Sequence, residues 1–282
     1  MTTATTTQPP ASASVEPARP PYKVTGGRVL RSEWAKLWTL RSTWITLGLG
    51  LLFLVAFGLI ASARYKSAIT SGDHMDADFA RSTSVSLSLF GTNFAQLALG
   101  VLGVLVTAGE YSTGMIRSTL AAVPRRLPVL WSKAAVFGVV ALVISTVGAF
   151  VTFLFGSGIV SGTPAAMTIS HAGVVRALFG AGLYLGLVGV IGTALGALLR
   201  SVAGGISVLV ATLMLIPGLV SLLPNAWADH ISPYLPAAAG QSMFAVYRDA
   251  HTLSPTAGLL VFLIWTALAL AGAAWRLVRT DA

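Results

Sequence analysis

The chain has no cysteine. Disulfide stapling, thiolate metal ligation and thiol catalysis are therefore excluded. Charge is also scarce. Only 10% of the 282 residues are Asp, Glu, Lys or Arg, against about 25% in a soluble domain. Hydrophobic residues make up 55%, which places the chain in lipid. A Gly-x-x-x-x-Gly-Lys-Ser/Thr phosphate loop is missing, so the chain is not expected to be an enzyme by itself. No ionisable residue lies deep within an apolar run, which argues against a proton-coupled carrier. His74, His171, His230 and His251 are scattered without ligand-pair spacing, and no metal site is expected. Gly204-Gly205-Ile206-Ser207 with His230 is a weak pattern for a serine intramembrane protease, and no catalytic residue is assigned.

What remains is a series of apolar runs. A bilayer core about 30 Å thick needs about 20 apolar helical residues. The sequence predicts an all-α integral membrane protein with spans at about 44–63, 85–107, 134–157, 174–199, 202–223 and 257–275. Residues 1–27, rich in Thr, Ala and Pro, read as a disordered tail, and 28–282 as the six-span domain. No apolar core follows Met1 closely enough for a signal peptide. Pro217-Gly218 falls inside the fifth run, where a kink is expected.

Basic residues orient such a chain. With the amino terminus inside, 13 of the 18 basic residues and four of the nine acids fall inside, so the whole net charge of +9 lies there. The basic excess is then a topological signal and implies no nucleic acid. The expected location is the cell (plasma) membrane, multi-pass, with both termini cytoplasmic.

Two segments stand out beside the spans. In residues 28–42, Leu30, Trp34, Leu37 and Trp38 form a helical stripe. Arg28, Ser32, Lys36 and Thr39 fall on the other side. This predicts an amphipathic helix in the inner interface, either a plain anchor or a docking element. The loop after the second span runs from Gly109 to Arg126. Ser112 or Thr113 can cap a short helix there. Met115, Ile116 and Leu120 would form its apolar face and Pro124 its stop.

The pattern Glu110-Tyr111-x-x-Gly114-x-x-Arg117, followed by Leu120, Pro124, Arg126 and Lys133, resembles the cytoplasmic loop of ABC exporter permeases of the type-two class. Order and spacing carry the resemblance from residue 28 onward. It implies an elbow helix at 28–42 and a coupling helix within 110–126 that docks on an ATPase. It also implies a partly re-entrant outer segment at 224–256, with Ser232-Pro233-Tyr234-Leu235-Pro236. Met115, Ile116 and Leu120 would anchor the ATPase, Arg117 would pair at its rim, and Glu110 would hold the loop. Tyr111-Ser112-Thr113 departs from the pattern, because many relatives place Arg or Lys before the glycine.

The fourth span carries Gly182, Gly186, Gly189, Thr193 and Gly196, a ridge for helix packing or for a dimer contact. Asn93 and Gln96, one turn apart in the second span, could line a substrate path or bond another helix. The resemblance implies a permease subunit of an ATP-driven exporter, moving a hydrophobic or amphipathic substrate as a homodimer with a separate ATPase. The chain itself needs no cofactor; ATP and Mg would belong to the ATPase. An ATP-independent carrier, or a non-transporting assembly or sensor protein, are the alternatives.

The charge pattern generates a direct test. A single cysteine at Ser118 should be shielded from an impermeant thiol reagent in intact cells, while one at Ser71 should be labelled. The reverse pattern would invert the topology.

Overall fold

The computed structural model describes residues 25–123, 126–248 and 251–279, with only the backbone of Arg117, Ala122, Asn225 and Ala226. The tail expected at residues 1–27 therefore lies outside the described residues up to position 24, and so does Pro124. Helix begins at Gly26, two residues earlier than the apolar stripe suggests.

The protein is all-α, with no strand among the described residues. Among the described residues, six helices are long and apolar enough to cross a membrane: Arg41–Ser71, Ser84–Ser112, Leu127–Ile159, Val174–Leu199, Val202–Val220 and Pro255–Arg279. They are the first to sixth spans below. At 1.5 Å per residue, the third span's 33 residues reach about 50 Å, so its ends pass well beyond a core of about 30 Å. Sequence hydropathy finds only the lipid-crossing middle of such a helix. The face of the bundle that carries both ends of the described chain is called the terminal face here, and the other the far face.

The fourth span is the hub. It packs along both the second and third spans and also touches the sixth. Its glycine ridge explains how. A Cβ on Gly186 would stand 2.9 Å from Leu142 Cβ, and one on Gly182 would collide with Thr146, both on the third span. Gly189 meets the Phe137 ring. Gly196 faces the Val104 carbonyl of the second span. At Gly182, Gly186, Gly189 and Gly196 the ridge is therefore used for packing within the chain. Gly192, Gly100 and Gly103 complete the seam, with Gly192 against the Gly100 carbonyl and Gly103 against that of Gly189. Close backbone approach of this kind is how helices associate where lipid removes the hydrophobic drive between them.

Local chemistry shapes the rest. The second span starts with a capping box: Thr83 N–H donates to Ser86 Oγ at 2.9 Å and Ser86 N–H to Thr83 Oγ1 at 3.1 Å. In the fifth span a π-helical turn, Ala211–Leu215, precedes Pro217. The ring cannot donate to the carbonyl four residues back, and the wider turn absorbs the missing bond.

The segment between the fifth and sixth spans contains two short α-helices, Asn225–Ile231 and Pro236–Ser242, joined by a 3-10 turn at Ser232–Tyr234. Gly240 packs against the Tyr184 ring. Tyr184 lies ten residues into the fourth span, about 15 Å along it, so the second helix dips well into the bundle. Arg176 fixes that dip by donating to the Met243 and Ala245 carbonyls at 2.9 and 2.6 Å. Trp265 Nε1 donates to the Tyr234 carbonyl at 3.0 Å.

Gly192 and Gly204 make a controlled pair. Gly192→Ala places a methyl against backbone that cannot yield and should lower stability by about 1–3 kcal/mol. Gly204 has only ordinary contacts, from 3.5 Å, so Gly204→Ala should be neutral or gain up to about 1 kcal/mol of helix propensity. Thermal unfolding of the two detergent-solubilised variants reads the difference; equal midpoints would show that the seam has slack.

Candidate functional site

The amphipathic helix, Gly26–Thr39, turns Val29, Glu33 and Leu37 onto the bundle, one residue every turn. Leu30, Trp34 and Trp38 stay exposed, and Trp34 stacks on Trp38 with ring centroids 5.9 Å apart. Trp44 closes edge-on against Trp38 and donates from Nε1 to its backbone carbonyl at 3.1 Å. Such an outward tryptophan group suits the headgroup layer of a bilayer. The expected stripe is thus split. Leu37 belongs to the buried face, while Leu30, Trp34 and Trp38 belong to the outer one. Lys36 does not sit on a wet face as the stripe implied.

Lys36 instead joins a cluster of four charges. Its Nζ donates to Glu33 Oε1 at 2.8 Å and to Glu110 Oε1 at 3.1 Å. Lys133 Nζ donates to Glu33 Oε2 at 2.7 Å and to Glu110 Oε1 at 2.8 Å. Glu33, Glu110 and Lys133 are buried, and Lys36 is partly exposed. Three segments far apart in sequence are thereby pinned together: the amphipathic helix, the end of the second span and the start of the third. Burial pushes the Glu33 carboxyl upward. Lys133 and Lys36 outweigh it and hold Glu33 below its ordinary value of 4.5. For Lys36, burial acts downward, but Glu33 and Glu110 hold the amine above 10.5.

Past Glu110 the loop makes one further tie after another. The second span ends with Ser112 and Thr113 hydroxyls donating to the Gly109 carbonyl, each at 2.9 Å. They close that helix and do not cap the next, which corrects their expected role. The loop helix, Met115–Ala122, starts instead from Gly114, whose φ of +74° is a left-handed conformation that glycine adopts without Cβ strain. Tyr111 lies under the Arg200 guanidinium, 5.2 Å from ring centroid, at the turn between the fourth and fifth spans. Arg126 donates to the Leu277 carbonyl of the sixth span at 3.3 Å.

The loop helix presents a different face from the one its apolar residues suggest. Ile116 is only 5% exposed, and with half-buried Leu120 it lines a small gap against Val129, Leu130 and Leu277 of the chain's own bundle. Neither is an outward anchor. Met115, 41% exposed, and the exposed Ser118 form the free face. The side chain of Arg117 and all of Pro124 lie outside the described residues.

Gln96 is buried and takes a hydrogen bond from the Tyr184 hydroxyl of the fourth span. It also donates to the Asn93 carbonyl at 3.1 Å. Asn93 Oδ1 accepts from Gln241 at 3.2 Å, at the edge of the dipping helix. Both are engaged in packing between helices. No group of three or more metal-ligating side chains occurs among the described residues.

Removing one partner of a buried pair leaves an uncompensated charge. Lys133→Met should therefore cost about 3–5 kcal/mol. Acid should act through Glu33. Because its folded value is depressed, its stabilisation is present above 4.5 and is lost as pH falls through that folded value. Lys36 has a raised value, so its share is present below 10.5 and is lost as pH rises through the folded value. Thermal unfolding from neutral pH into acid should show a falling limb in the wild type that Glu33→Gln flattens. An unchanged limb in that variant would assign the acid sensitivity elsewhere.

No family model and no curated protein matches this chain. On its geometry it is a multi-pass, six-helix membrane protein with a four-charge cluster under its terminal face.

Proposed function

We propose that this chain is the membrane-spanning permease subunit of an ATP-driven ABC exporter. It works with a separate ATPase that holds ATP and Mg, and with a second copy of itself. It moves a hydrophobic or amphipathic substrate.

One observation carries the reading. The loop between the second and third spans holds a short helix with a free face, and the residues around it tie to nearly every element at the terminal face. Glu110 reaches the amphipathic helix and the third span, Tyr111 the turn after the fourth, and Arg126 the end of the sixth. A push on Met115–Ala122 from a soluble partner would be felt by all of them at once. Coupling needs such an element, joined by contiguous contacts to the parts that move. The basic excess expected on that side supports a cytoplasmic position for the loop, the side on which an ATPase works.

The docking residues follow from exposure. Met115 and Ser118 are the outward positions, and Arg117 of the quoted motif lies between them in sequence. Leu120→Asp is a poor probe because Leu120 packs on its own bundle. Met115→Glu and Ser118→Glu should fold and insert normally, yet lose a co-purifying nucleotide-hydrolysing subunit. Few contacts carry most interface energy, so either change should weaken association at least about tenfold. Glu110→Gln should keep the ATPase but impair ATP-dependent transport. Purification of the tagged chain from its native membrane with ATPase assays reads these outcomes. A chain that retains no such subunit, or outward-face variants that keep it fully with transport intact, would overturn the proposal.

A further inference from the structure

Beside the ion cluster lies a cavity of about 580 Å³, between the amphipathic helix, the start of the first span and the end of the second. Its size falls within the roughly 300–1,000 Å³ of small-ligand sites. Leu37, Leu40, Leu105, Val106 and Val136 supply apolar walls. Glu33, Lys36, Glu110 and Lys133 form the polar wall.

The hydrogen bonds of that wall are uneven. Glu110 Oε1 accepts from both lysines. Glu110 Oε2, on a side chain 5% exposed, accepts from no group among the described residues. A buried carboxylate oxygen without a donor is costly, so the site calls for a donor. The charge balance narrows the choice. Two carboxylates already offset two ammoniums. A ligand of net charge would leave an uncompensated charge in a desolvated place, whereas a zwitterion adds none.

We infer that this cavity binds a zwitterionic aminophospholipid from the surrounding leaflet, its primary ammonium donating to Glu110 Oε2. That oxygen is itself enclosed, so binding requires the Glu110 carboxylate to turn toward the cavity. The lipid phosphate meets Lys36, the most exposed member of the cluster, and the Ser42 hydroxyl at the rim. An acyl chain runs along Leu40 and Leu105, which are exposed. A quaternary ammonium has no N–H to donate, so the site separates ethanolamine from choline headgroups. The inference stands on the cluster and the cavity and does not depend on the export reading.

The test uses the full chain in nanodiscs containing equal amounts of phosphatidylethanolamine and phosphatidylcholine with identical acyl chains. The protein is then released into detergent and its retained lipid counted by native mass spectrometry. The expected result is a preference for ethanolamine of roughly tenfold, equivalent to about 1.4 kcal/mol. Val106→Trp should fill the cavity and lower that retention without shifting the unfolding midpoint. Leu40→Trp, at an exposed position, replaces it if the first variant folds poorly. Glu110→Gln should erase the headgroup preference. Equal retention of the two lipids, or unchanged retention in a folded cavity-filling variant, would overturn the inference.

Discussion

Glu33, Lys36, Glu110 and Lys133 come from three segments and meet where little water reaches. Taking such charges out of water costs several kcal/mol each, and only close pairing offsets it. The carboxylates and amines therefore satisfy one another or the terminal face does not close. Glu33 and Lys36 lie one turn apart, so both reach their partners in a single rotation and register of the amphipathic helix. A helix held only by Val29, Leu37 and its outward tryptophans could slide or roll along the interface. The cluster removes that freedom and carries the position of the helix directly to Glu110, where the loop begins.

The glycine seam does the same work deeper in the bundle without charge. Gly192 and Gly103 let the second and fourth spans touch backbone to backbone, and Gly182 and Gly186 do so for the third and fourth. A rigid hub results, to which the loop is tied through the Arg200 turn and the start of the third span. The far face is less uniform. There the dipping helix Pro236–Ser242 depends on Arg176 and on the gap left by Gly240. Movement imposed at the terminal face would thus pass along a tightly packed core toward that dipping segment.

Much of this was legible in the sequence, for physical reasons. Lipid demands long apolar helices with every backbone group bonded internally, so six spans followed from hydropathy alone. The amphipathic helix and the loop helix also announced themselves by spacing. The ion cluster did not. Lys36 has the right period for a solvent face, and nothing local reveals that Glu110 and Lys133 wait for it across the fold. Ile116 was misplaced for the related reason that an apolar face on a short loop helix does not say whether it meets a partner or its own bundle. Ser112 and Thr113 could serve as N-caps by residue type, but Gly114's left-handed turn hands them to the preceding helix instead. Gly100, Gly103 and Gly192 were missed because a seam is shared by two helices, and a ridge on one shows only half of it.

The cluster binds the amphipathic helix energetically to the third span. A double-mutant cycle on Glu33 and Lys133 tests it most directly, using Glu33→Gln, Lys133→Met and the pair together, each followed by thermal or denaturant unfolding in detergent. If the two charges are coupled, the double variant should lose less stability than the two single losses predict, by about 1–3 kcal/mol. Additive losses would show that the two charges are not coupled and reduce the cluster to a coincidence of packing.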